Sequence, residues 1–196
     1  MIDQYKGTIA FWIKPEFDFA THTIGAEFFA SGLNTVNGHI RIYKEANNQL
    51  TATFFFSDTG SRTLTAVVNI ENFITQNNWH HLAIIYDSSL TNPNEIYIDG
   101  VLASTSYSTA KGPISPNEID STIKIGSGNN FSVFDDFLIV KEVLTAGEIN
   151  NIYNRGRGEG YRKNRYNSVR LANPNNNPVY KNGNRYGLNL EMKEVL

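Results

Sequence analysis

The sequence predicts an all-β antiparallel sandwich, and three observations point to it. Across residues 79–86, Leu82, Ile84 and Tyr86 alternate with His81, Ala83 and Ile85, the period-2 signature of a strand with two distinguishable faces. After the loop-forming run Ser88-Ser89-Leu90-Thr91-Asn92-Pro93-Asn94, the strand-like Glu95-Ile96-Tyr97-Ile98 ends in Asp99-Gly100, the dipeptide that supplies positive φ at both centres of a type I′ hairpin turn. Elsewhere, turn signals recur about every ten residues, the spacing of short antiparallel strands packed face to face.

Taken in order, residues 7–14 read Gly-Thr-Ile-Ala-Phe-Trp-Ile-Lys, with Ile9, Phe11 and Ile13 on one face and Pro15 as the stop. Strands are expected at 27–30, 40–43, 50–56 and 63–68, separated by polar, Gly- and Asn-rich runs. The triplet Phe54-Phe55-Phe56 is apolar on both faces; ordinary core and rim packing is the simpler account, an inner strand covered outside by the C-terminal segment or a partner the other. Further strands are expected at 122–126 and 134–140. A short helix then begins: Thr145 is an N-cap, Glu148 three residues on completes a capping box, and Leu144 staples against Ile149. Ile149, Ile152 and Tyr153 give that helix one apolar face, and Gly156 is its expected stop.

The Trp-led Trp79-His80-His81-Leu82-Ala83 strand followed by Tyr97-Ile98-Asp99-Gly100 resembles the laminin G-like members of the concanavalin A-like lectin and glucanase superfamily. The opening Phe11-Trp12-Ile13-Lys14-Pro15, and Phe134-Asp135-Asp136-Phe137-Leu138-Ile139-Val140 leading into Leu144-Thr145-Ala146-Gly147-Glu148-Ile149, extend the resemblance over most of residues 7–156. It implies a two-sheet jelly-roll sandwich over residues 1–156 closed by one short capping helix. Residues 157–196 have no counterpart and read as an extended basic tail, rich in Asn, Arg and Tyr. These motifs specify a fold and say little about activity.

Composition bounds the function. A chain of 196 residues with 40% hydrophobic and 12% aromatic content carries one well-packed domain, not a disordered polymer. It has no cysteine, so disulfides and thiolate metal sites are excluded. Neither a signal peptide nor an apolar run long enough to span a membrane is present in the sequence. The net charge of −2 hides a split: residues 1–154 hold 8 basic and 16 acidic side chains, residues 155–196 hold 9 and 3. The basic end is expected to dock on an acidic surface of a protein partner or of a second copy. Tyr161, Arg162, Arg165, Tyr166, Tyr180 and Tyr186 are the candidate contact residues, because exposed ion pairs contribute little singly and aromatics carry more.

Catalytic patterns are missing. Retaining glucanases of the superfamily use an E-x-D-x-(x)-E strand, which sets two carboxylates about 5 Å apart. The E-x-D run Glu118-Ile119-Asp120 is followed by Ser121, Thr122 and Ile123, so the second glutamate is lacking. Residues 180–186 loosely echo a tyrosine motif of alginate-lyase relatives whose other strands are not found; they read as a hairpin around Asn182-Gly183. His22, His39, His80 and His81 lack zinc spacing, and His80 and His81 are expected on opposite faces of one strand, one half-buried and one exposed. In many relatives the aspartate opening the strand before the helix binds a structural calcium; Asp135 holds that position, with Asp136, Leu138 and Val140 departing from the usual pattern. An acidic pI of about 6.1 and no nucleic-acid motif argue against binding DNA or RNA. The expected function is a non-catalytic, lectin-like structural or attachment subunit, as in phage virion decorations or fibres, at a virion or extracellular surface, contacting neighbouring subunits and surface glycans. An extracellular carbohydrate-binding module is the alternative; a glycan hydrolase or lyase ranks last.

Overall fold

The computed structural model describes residues 2–3, 5–31, 40–56, 62–87, 95–103, 123–128, 132–153 and 188–190. Among the described residues, ten strands precede one α-helix: β1 (Lys6–Pro15), β2 (Ala26–Ser31), β3 (Ile40–Lys44), β4 (Gln49–Phe56), β5 (Arg62–Asn69), β6 (His80–Asp87), β7 (Glu95–Ile98), β8 (Val101–Leu102), β9 (Ile123–Gly128) and β10 (Ser132–Val140), then α1 (Ala146–Tyr153). One more strand, β11 (Leu188–Leu190), comes from the segment read as a tail. Two sheets result, ordered β10-β1-β6-β7-β8 and β11-β9-β2-β3-β4-β5, and every pairing is antiparallel. The architecture is the two-sheet jelly-roll sandwich that the alternating pattern and the resemblance predict.

Alternation explains the packing. Ile9, Phe11 and Ile13 of β1 and Leu82, Ile84 and Tyr86 of β6 face the six-stranded sheet, where they meet Phe28, Phe29, Ile40, Ile42, Leu50 and Phe54 in one core. The other faces of β1 and β6 are buried too. Ala10, Ala83, Ile85, Tyr97, Leu138 and Val140 form a second cluster with Leu144, Ile149 and Ile152 from α1 and the segment leading into it. The helix therefore seals the outside of the five-stranded sheet, and each fully buried aliphatic side chain in that seal contributes about 2 kcal/mol.

Local chemistry fixes where the helix starts. The Thr145 amide donates to Glu148 Oε2 at 3.0 Å and the Glu148 amide to Thr145 Oγ1 at 3.3 Å, the reciprocal capping box. The approach to it is tied to β1 by Thr8, wholly buried, whose hydroxyl donates to the Glu142 carbonyl at 2.8 Å and accepts the Leu144 amide at 3.1 Å. At the far end the helix rests on the β7–β8 turn, where Asp99 (φ 53°) and Gly100 (φ 76°) adopt the left-handed pair a type I′ turn needs. A Cβ on Gly100 would lie 2.8 Å from Tyr153 Cδ1, so glycine serves both the turn and the close approach of α1.

At the end of β3, Lys44 lies buried in line with Ile40 and Ile42, its Nζ donating to the carbonyls of His22 at 2.6 Å and Glu45 at 2.9 Å. Burial lowers its pKa, with Glu71 acting in the opposite direction. Replacing Thr145 by alanine is expected to cost about 1 kcal/mol. In thermal unfolding that is a fall of roughly 2–4 °C, with the β-sheet signal at low temperature unchanged.

Candidate ligand-binding face and hairpin latch

With the five-stranded sheet sealed by α1, the outer face of the six-stranded sheet is where polar and aromatic groups collect. On β3 the core-facing Ile40 and Ile42 leave Arg41 and Tyr43 on the other side, both half-buried. On β2 the register slips between Glu27 and Phe29. That bulge sends both Phe28 and Phe29 into the core while setting Glu27 opposite Tyr43. The outcome is a three-residue patch. Arg41 Nε donates to Glu27 Oε2 at 2.7 Å, and its guanidinium carbon lies 4.8 Å from the centre of the Tyr43 ring.

A guanidinium held at Nε by a carboxylate and resting on a phenol ring is preorganised, and its two terminal amino groups make no hydrogen bond within the described residues. Such a planar fork suits a carboxylate or a pair of adjacent hydroxyls. Across the ladder from Arg41 is Thr53, whose buried Oγ1 finds no hydrogen-bond partner, while Thr51 Oγ1 donates to Glu45 Oε1 at 2.6 Å. Thr51 and Thr53 are both buried although they alternate with core residues. The side chains of Phe55 and Phe56, on which the reading of the Phe54 triplet turns, lie outside the described residues.

The second locus is the hairpin end of β6. His80 and His81 do point to opposite sides, but both are buried, which corrects the expectation of one exposed ring. His80 sits at the core end, where Asp99 Oδ2 lies 2.7 Å from Nδ1 and the Thr75 amide donates to Nε2 at 3.0 Å. An amide can only donate, so Nε2 accepts and Nδ1 carries the ring proton to Asp99. Thr75 Oγ1 is also 3.1 Å from Nε2, giving the order hydroxyl, imidazole, carboxylate. The lone pair that a general base would use is taken by the Thr75 amide, so the ring acts as a latch between the 70–78 segment, β6 and the turn. Asp99 Oδ1 completes it by accepting the His81 amide at 2.8 Å.

His81 is covered by Trp12, with ring centroids 5.3 Å apart, and by Tyr153 at 6.1 Å; its Nδ1 is buried without a hydrogen-bond partner. Burial pushes its pKa down to about 4, with nearby Asp99 opposing the shift. Tyr153 is shifted up by burial and, secondarily, by Asp99.

Asp135 is exposed on β10, opposite Trp12, and its Oδ1 accepts the amide of Asp136 at 2.8 Å. Asp136 has φ 46°, so the carboxylate supports a left-handed backbone position beside it. A calcium ion takes six to eight oxygens, and among the described residues no group of three or more Asp, Glu or His side chains gathers there or elsewhere. An ion at Asp135 would therefore draw most of its oxygens from backbone carbonyls. Tyr161, Arg162, Arg165, Tyr166, Tyr180 and Tyr186 lie outside the described residues, as do Glu118 and Asp120. Glu27, Arg41, Tyr43 and the Thr75–His80–Asp99 latch escaped the sequence reading. The alternation of Arg41 and Tyr43 in Ile-Arg-Ile-Tyr was visible, but the bulge that delivers Glu27 was not.

Two measurements follow from this geometry. Because the folded-state pKa of His81 lies below the ordinary 6.5, the unfolded chain takes up the proton first. The stability this neutral ring preserves is complete above about pH 6.5 and is lost as pH falls towards 4, by about 3 kcal/mol. His81→Phe is expected to flatten that slope in denaturant titrations at pH 7 and pH 4.5. Asp135→Asn, which retains an acceptor for the Asp136 amide, is expected to melt like the parent in calcium and in chelator; a calcium-dependent rise in the parent that this variant lacks would establish the metal.

Comparison with known proteins agrees with this architecture. The sequence profile described as the concanavalin A-like lectin/glucanases superfamily matches residues 2–150. No curated protein matches in sequence. Among solved structures, the receptor-binding domain of the botulinum neurotoxin C/D mosaic serotype superposes with a TM-score of 0.61 at 18% identity over 79% of this chain and 37% of that one. The type G receptor-binding domain gives 0.55 at 21% identity over 78% and 38%. The serotype D ligand-binding domain, in complex with N-acetylneuraminic acid, gives 0.59 at 18% identity over 78% and 37%. The chain thus spans little more than a third of each of these structures, and at such identities the likeness is one of fold. With the profile covering most of the chain, the protein is a member of the concanavalin A-like lectin/glucanases superfamily.

Proposed function

We propose that this protein is a non-catalytic, lectin-like attachment module that binds glycans on the outer face of its six-stranded sheet, at the surface of a virion or cell. The observation that carries this reading is the Arg41 guanidinium pinned between Glu27 and Tyr43 with its terminal amino groups unengaged among the described residues. Sugars present adjacent hydroxyls and, in acidic sugars, a carboxylate. A planar donor fork beside an aromatic ring answers both features. The N-acetylneuraminic acid complex of the serotype D neurotoxin domain gives support of a weaker kind, since this chain spans only a part of that one. Family membership embraces lectins and glucanases alike, and the missing second glutamate after Glu118-Ile119-Asp120 favours binding over cleavage.

A role as a particle or fibre subunit is favoured by a separate observation. The basic C-terminal segment supplies a strand to the acidic sandwich, which suits a chain that contacts neighbouring subunits as well as a glycan. The alternative of an extracellular carbohydrate-binding module uses the same face and differs in what the module is joined to.

The test is an array of neutral and acidic glycans probed with the parent and with Arg41→Ala. Binding is expected to weaken at least about tenfold in the variant. The melting temperature should change little, since a surface ion pair contributes at most about 1 kcal/mol. The glycans should be recovered uncut. No retained glycan, or equal binding by both proteins, would overturn the assignment of this face; cleaved glycan would overturn the non-catalytic reading.

A further inference from the structure

The six-stranded sheet begins with an unusual neighbour. Among the described residues, β11 pairs with β9 through Leu188 opposite Ile125, Asn189 opposite Lys124 and Leu190 opposite Ile123. The register matches an apolar-polar-apolar triplet to another: Ile123 is in the core, Ile125 packs against it, and Lys124 is exposed. Next along β9, Gly126 has a φ of 63°, a left-handed position in the strand. Without β11, β9 would present a row of unpaired backbone groups at a sheet edge, which invites pairing with another chain.

Nothing in the connectivity dictates that the partner strand be the chain's own. Residues 154–187 separate α1 from β11, a covalent span of over 100 Å at about 3.3 Å per residue, several times the width of a sandwich. The same ladder forms equally well between two copies, because exchange conserves every backbone bond and alters only which chain supplies the strand. Charge distinguishes the two arrangements. Residues 1–154 carry a net −8 and residues 155–196 a net +6, so two sandwiches repel each other unless basic segments lie between them. Strand exchange carries a basic segment across each contact.

We propose that the outer edge of β9 is a strand-accepting surface for a second copy of this chain, filled in the assembly by residues 188–190 of a neighbour in the register seen here. The inference rests on the reading of the protein as an assembling subunit, not on glycan recognition.

The absence of cysteine makes the test direct. Lys124→Cys and Asn189→Cys place thiols at directly opposed positions of an antiparallel ladder, within disulfide reach. The two full-length single variants are mixed under mild oxidant, with Lys141→Cys in place of Asn189→Cys as an off-register control; Lys141 is exposed and lies on no ladder. Exchange is expected to yield a reducible mixed dimer about tenfold above the control, increasing with protein concentration. The doubly substituted chain reports the alternative. If it closes on itself as a monomer while the mixture stays at background, the strand belongs to its own sandwich and the proposal fails. If neither disulfide forms, β11 does not pair with β9 in solution and the proposal fails as well. Glycan retention by the same samples is read independently, so loss of one reading leaves the other standing.

Discussion

The constraint on which this molecule depends is that β6 is buried on both faces. A strand covered on one side asks only for alternation; a strand covered on both asks for a second layer outside the sandwich. Leu82, Ile84 and Tyr86 satisfy the inner side, and Ala83 and Ile85 require the outer one to be closed. Ala83 lies beside Ala10 on β1, so the two alanines leave room for the helix to come close. The hydroxyl of Thr8, the capping box at Thr145 and the glycine at position 100 each answer a part of that need: anchoring the approach, starting the helix, and clearing space beneath its end.

Much of this was legible in the sequence, and the reasons are physical. Period-2 alternation located the strands because core and solvent sides differ in composition. Asp99-Gly100 located the hairpin because few residues tolerate positive φ twice in succession, and Thr145 with Glu148 located the helix start because orphan amides need acceptors. Alternation reports which side a residue faces, not what lies there. His80 and His81 were separated correctly, yet the cover over His81 is Trp12 from one end of the domain and Tyr153 from the other, and no local pattern announces it. The Glu27–Arg41–Tyr43 patch was hidden because a bulge adds one residue to β2 and resets the facing of everything before it. β11 was hidden for a simpler reason: three residues carry too little periodicity to be told from loop.

The hairpin motif gains a cause from the structure. Trp79-His80-His81 and Tyr97-Ile98-Asp99-Gly100 are far apart in the chain but meet through one carboxylate, with one oxygen on the His80 ring and the other on the His81 amide. The aspartate therefore holds its own turn against β6 and, through His80, the Thr75 segment against both. A motif of this kind specifies how a fold is tied and leaves any ligand to be set by residues elsewhere.

Lys44 carries one last implication. Its amine is surrounded by backbone carbonyls at 2.6 and 2.9 Å and is shut off from solvent, whereas lysines such as Lys6 and Lys124 stand in water. An acylating reagent can reach Lys44 only when the end of β3 separates from the His22 segment. The rate at which this one lysine is modified, set against its exposed counterparts, thus measures how often that corner of the sandwich opens, and the protein carries a built-in chemical clock for its own local unfolding.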